Sequence, residues 1–177
     1  MKFDYQTPTL DTSWRSIILL GVNVASYKFS LAKTLLQLNA NDDLIPLDEI
    51  ALPFAKNIAS HLAVEDKQAT SPTSKFLDAC REFNSGKITE EQLREETIQR
   101  GFVNVIDAFH NVAHSEVPFR FFEDLRKDSK AIKLTDNFYK LLESEQADNF
   151  LFEVDSRWRL WETAISQNIN QNLIEHD

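Results

Sequence analysis

Cysteine occurs once, at Cys80, so the chain can form no internal disulfide and no cysteine-rich zinc site. Glycine occurs only three times. So few glycines argue against an all-β fold built on tight turns, and against a glycine-rich phosphate cradle. Basic residues are in the minority: 19 Lys and Arg stand against 28 Asp and Glu, a net charge of −9. That mean field repels a phosphate backbone, which makes the chain a poor non-specific binder of nucleic acid. Long apolar runs are missing too. The most apolar stretch, residues 17–25, is interrupted by Gly21 and Asn23. It falls far short of the ~20 residues that a membrane span needs. The opening Met1-Lys2-Phe3-Asp4-Tyr5 has no apolar core of the kind a secretory signal carries. The expectation is a cytoplasmic protein with no membrane partner, in keeping with one unpaired thiol.

What is present is a globular composition. Hydrophobic residues make up 42% and charged residues 27% of 177 positions, with 13 Phe and 3 Trp. A chain of this length buries roughly 70% of the surface its unfolded form exposes, enough for a core without disulfides. There is no internal repeat. A single mostly helical domain over residues 1–177 is expected.

Apolar spacing and capping residues place the elements. Trp14, Ile17, Ile18, Leu20, Val24, Tyr27, Leu31, Leu35 and Leu38 follow one helical face, with Asp11, Thr12 or Ser13 as N-cap and a bend or break near Gly21 and Asn23. Residues 39–43 read as a loop. Residues 47–64 read as a helix that Pro53 kinks or starts. Ser71-Pro72 reads as the start of a helix to residue 84, closed by Gly86. Thr89 and Gln92 form a capping box for a helix over 90–100, and a short helix is expected over 103–110. Residues 119–124 and 131–134 read as two strands around a charged turn, 125–130. Thr135-Asp136 caps a helix to residue 142, and a last helix runs over 147–168. Residues 1–10 read as an extended lead-in and 170–177 as a polar, fraying tail.

No catalytic constellation, cofactor motif or metal-ligand set stands out. His110 and His114 have i, i+4 spacing but lack the glutamate of a zinc-protease pattern, and read as a loop pair. His61 reads as a surface residue. The acidic pairs Asp42-Asp43, Asp48-Glu49, Glu90-Glu91 and Glu95-Glu96 fall in loops or first helical turns, where they read as solvated charges. Cys80 shares an apolar stripe with Phe76 and Phe83 and reads as core. Trp158, Trp161 and most of the phenylalanines read as core, with one or two left as interface anchors.

The stretch from Arg94 to Lys133 is the best candidate surface. Helix, corner at Gly101, short helix and hairpin follow the order of a winged-helix unit, over about residues 89–142. Residues 119–134 hold Arg120, Arg126, Lys127, Lys130 and Lys133 against three acids, while the other 161 residues carry −11. These five are the candidate DNA-binding residues. The competing reading is an ordinary hairpin with a solvated turn, since Asp124 and Asp128 sit among the cations.

Several segments together carry a resemblance: Trp14-Arg15-Ser16-Ile17, Ala25-Ser26-Tyr27-Lys28, Ala69-Thr70-Ser71-Pro72, Gly101-Phe102, Phe109-His110-Asn111 and Ser156-Arg157-Trp158. Their order resembles the N-terminal region that precedes the nuclease module in a group of bacterial HNH-type endonucleases. The resemblance spans roughly residues 12–165. It implies a non-catalytic helical domain for target recognition or partner docking; the nuclease module that follows such a region is absent from these 177 residues, which are either a piece that stops before that module or a stand-alone relative lacking it. That module would carry a general-base histidine, a metal-binding histidine and often paired cysteines. No catalytic residue is carried over, because His110-Asn111-x-x-His114 repeats the letters without the spread over a hairpin and a helix. The charge points to a different class: a small acidic interaction protein, of immunity or inhibitor type, that covers a basic partner surface.

Overall fold

A computed structural model describes residues 7–21 and 23–167. The fold is mainly helical with a small antiparallel sheet. In chain order it comprises α1 (Leu10–Leu19), α2 (Tyr27–Gln37), β1 (Leu44–Pro46), α3 (Leu47–Leu62), α4 (Lys75–Asn84) and α5 (Glu90–Glu96). A π-helical turn (Thr97–Gly101) follows, then α6 (Val105–Ala108), β2 (Asn111–Val112), β3 (Ser115–Glu116), β4 (Phe122–Leu125), α7 (Arg126–Ser129), β5 (Ala131–Leu134), α8 (Asp136–Leu142) and α9 (Ala147–Ser166). Helix α3 packs on α2, α4 and α5, while α9 lies along α2.

The expected long first helix is two helices. Helix α1 starts one turn earlier than its expected caps, where Thr9 and Thr12 exchange side-chain and backbone bonds in a capping box. It ends at Leu19, and α2 begins only at Tyr27. Residues 24–26 instead run beside 68–70: Ala25 bridges Ala69, Ser26 N–H donates to the Gln68 carbonyl, and Thr70 N–H to that of Val24. Helix α3 passes through Pro53 without ending there. Helix α4 is capped by Ser74, whose hydroxyl accepts from Leu77 N–H, so Ser71-Pro72 lies outside it. Gly86 closes α4 at φ +77°, with Gly86 N–H donating to Phe83 and Lys87 N–H to Glu82, the paired bonds of a Schellman turn. The helix expected over 90–100 keeps its capping box at Thr89 and Gln92 but widens into the π-helical turn after Glu96. There Thr97 is buried and its hydroxyl donates to the Leu93 carbonyl at 2.7 Å.

Strand β1 was not expected from the sequence. It pairs with β5, giving a sheet of order β1-β5-β4 with Ile45 opposite Ile132. Leu47 N–H donates to the Lys130 carbonyl, so the start of α3 is tied to the end of the β4–β5 hairpin. The charged turn of that hairpin is not a loop but the single helical turn α7, closed by Lys130 at φ +49°. Helix α8 has the expected bounds, yet Thr135 spends its hydroxyl on the Arg120 carbonyl instead of capping the helix.

Trp14 lies in the core, 1% exposed, with the rings of Phe109, Phe121, Phe138 and Phe150 centred 5.2–6.4 Å from its own. Phe122, Trp158 and Trp161 are also buried, as is Cys80. The expected tail and the first six residues lie outside the described residues.

Candidate functional site

The five candidate DNA-binding residues divide into two kinds. Arg126 is tied into the fold. It donates to both carboxylate oxygens of Asp124 (2.8 and 2.7 Å), to Asp107 (2.8 Å) and to the Phe102 carbonyl (3.0 Å). The bond from Arg126 holds the Asp124 carboxyl below its ordinary range. Arg120 pairs with Glu116 and with Glu123. Lys127, Lys130 and Lys133 are exposed and form no ion pair among the described residues. Lys133 stands opposite Glu123 across the β4–β5 ladder. The hairpin is therefore less basic toward solvent than its composition.

A groove of about 490 Å³ opens on another face, between the start of α2, helix α6 and the β2–β3 hairpin. Volumes of roughly 300–1,000 Å³ are usual for small-molecule sites. Val24, Ala25, Val105 and Ala108 form its apolar wall, and Lys28, Asn104, His114 and Ser115 line it with polar groups. Lys28 is only 7% exposed. Its ammonium donates to the Asn111 carbonyl at 3.1 Å and has no carboxylate partner among the described residues. Burial pushes its pKa down to about 8. Gly21 makes room for it: a Cβ there would sit 3.0 Å from the Lys28 nitrogen. The one carboxylate of the lining, Glu116, is already paired with Arg120.

The expected histidine pair is split by this hairpin. His114 occupies the two-residue turn between β2 and β3, at φ +67° beside Ala113 at φ +49°. His110 lies inside, 1% exposed, with Nε2 accepting the Phe121 N–H at 3.0 Å. That bond places its proton on Nδ1, which is buried without a partner. Burial, then the charges of Arg120 and Lys28, lower its pKa to about 3, so it is neutral.

His61 is not the surface residue expected. It is stacked on Trp158, and its Nδ1 meets Glu162 at 2.9 Å. Among the described residues, no group of three or more His, Cys, Asp or Glu side chains is arranged to hold a metal ion. None of their helices is long and apolar enough to cross a membrane.

Sequence alone missed Lys28. One signal was available: it lies three residues before Leu31 and four before Ala32 in α2, a cation on the buried stripe of a helix. The chain matches no protein-family model, no curated protein and no solved structure.

Proposed function

We propose that the chain is the non-catalytic helical domain of an HNH-type DNA endonuclease, serving target recognition or partner docking. The observation that supports this reading is the convergence of the separated segments on which the resemblance rests. Trp14 packs on Phe109, and Lys28 bonds to Asn111. Ala25 bridges Ala69, and Arg157 donates at 2.9 Å to the carbonyl of Leu19, two residues past the first of those segments. Segments spread over more than 140 positions thus hold one another in place as a unit. In this reading the region from α5 to β5 acts as a winged-helix-like unit, and Lys127, Lys130 and Lys133 are its DNA-facing cations. Arg120 and Arg126 position the hairpin instead.

A second reading, the small acidic interaction protein, is favoured by the pairing of those two arginines with Glu116, Glu123, Asp107 and Asp124. One measurement separates the two. Duplex DNA is titrated with the chain at rising salt, with wild type and with Lys127, Lys130 and Lys133 all replaced by Ala. Target recognition requires binding that weakens with salt and is lost in the triple variant. Equal binding by both proteins removes the hairpin from the mechanism. No binding by wild type at low salt transfers the assignment to the acidic interaction protein.

A further inference from the structure

We propose that the groove between α2, α6 and the β2–β3 hairpin is a binding site for a phosphate group, with Lys28 as its counter-charge. The inference is independent of the endonuclease reading, because it rests on the groove alone.

The charge balance comes first. A buried ammonium is costly unless an anion faces it. Lys28 has one backbone carbonyl and no carboxylate among the described residues. The groove's only acid, Glu116, is held by Arg120, and the neighbouring His110 is neutral. In a chain of net charge −9, the groove therefore carries local positive charge.

The placement of donors selects the kind of anion. Lys28 stands on the α2 side, Asn104 at the start of α6 and His114 on the hairpin, where the Ser115 hydroxyl is already engaged with the Val112 carbonyl at 3.3 Å. Polar groups on three sides suit an oxyanion with three or four acceptor oxygens better than a planar carboxylate with two. The wall of Val24, Ala25, Val105 and Ala108 leaves apolar room beside the anion for the body of a larger phosphate ester.

Gly21 supports the same assignment. A Cβ at this position would lie 3.0 Å from the Lys28 nitrogen and 3.0 Å from the Ile17 carbonyl, so a side chain here would press on the ammonium and shift it by a few tenths of an ångström.

Thermal unfolding provides the test, at neutral pH and constant ionic strength held with potassium chloride. Inorganic phosphate should raise the melting temperature of wild type saturably, as ligand linkage requires, and acetate should not. Lys28→Met should lose the response while melting no lower than wild type. An equal response in wild type and variant, an equal response to acetate, or no response to any phosphate compound would overturn the proposal. If Lys28→Met melts much lower than wild type or fails to fold, wild type alone decides. The NMR titration midpoint of the Lys28 side chain should move upward when phosphate is added, and an unmoved midpoint overturns the assignment.

A nucleoside 5′-monophosphate and single-stranded oligonucleotides with and without a 5′-phosphate then identify the source. Selective response to the monophosphate indicates a free nucleotide. Selective response to the 5′-phosphorylated strand indicates a nucleic-acid end. Either outcome supports the site and leaves duplex binding by the hairpin to its own titration.

Discussion

The imidazole of His61 lies flat against the indole of Trp158, ring centres 3.5 Å apart and planes within 2° of parallel. The contact belongs to a closed set of four side chains. Glu162 meets His61 Nδ1 at 2.9 Å and accepts from Gln68 Nε2 at 2.6 Å. Gln68 in turn accepts the Trp158 indole N–H at 2.9 Å. The set joins the last turn of α3, the loop after it, and α9. Such a network is stabilising only when every member is satisfied, since a buried polar group left without a partner costs about 1–3 kcal/mol.

Gln68→Ala should therefore destabilise by about 2–4 kcal/mol, because it strips a partner from both Glu162 and Trp158. Urea unfolding followed by tryptophan fluorescence measures this. A loss below half a kcal/mol would show that water replaces the amide at no cost.

Trp14→Ala should cost about 3–5 kcal/mol, the range for deleting a core aromatic. Four phenylalanine rings surround the indole and cannot all move in to fill the space. An unchanged melting temperature would contradict this packing.

Alkaline conditions should stabilise the protein through Lys28. In the folded chain its pKa is lowered to about 8, against an ordinary 10.5. Between those values the unfolded chain binds the extra proton, so unfolding free energy rises with pH over that window. Stability measured from pH 7.5 to 10 should show this rise in wild type relative to Lys28→Met. Parallel profiles for the two proteins would count against a buried ammonium.

Acid should act in the opposite direction through His110. Its folded pKa of about 3 lies below the ordinary 6.5. As pH falls between those values, protons bind the unfolded chain and stability is lost. The pH profile of His110→Gln should be flatter than that of wild type between pH 6.5 and 4. The same slope in both would assign the acid sensitivity to carboxylates elsewhere.

Two neighbours in one hairpin turn should respond differently. Arg126→Ala removes bonds to Asp107, Asp124 and Phe102 and should cost about 1 kcal/mol, a modest figure because the pairs are partly solvated. Lys127→Ala should change stability by less than about 0.5 kcal/mol. Chemical denaturation of both variants checks the contrast, and equal effects would deny Arg126 its bracing role.

Much of the helical frame was legible because its signals are local. The capping box at Thr89 and Gln92, the glycine stop at Gly86 and the apolar spacing from Phe150 to Ile165 each act within a few turns of their own helix. The break between α1 and α2 was legible as a weakness at Gly21 and Asn23, though not as a full separation. Strand β1 was hidden because Leu44-Ile45-Pro46 becomes a strand only beside β5, almost ninety positions later. The role of Arg126 was hidden for a similar reason, since Asp107 reaches it from α6. Composition counted the arginine as a free cation, whereas the fold supplies its counter-ions. The short loop after α3 also concealed Gln68, which gains its importance from two side chains on α9.

The fully buried Cys80 has a practical consequence. Its sulfur lies 4.0 Å from the Ala55 carbonyl, between α4 and α3, and burial raises the thiol pKa to about 12. A maleimide or a disulfide reagent needs both access and a thiolate, and the native fold withholds each. The chain thus carries a built-in clock for its own opening. The rate at which Cys80 is labelled under native conditions reports how often α3 and α4 part, and every cysteine introduced on the surface can be labelled against a silent background.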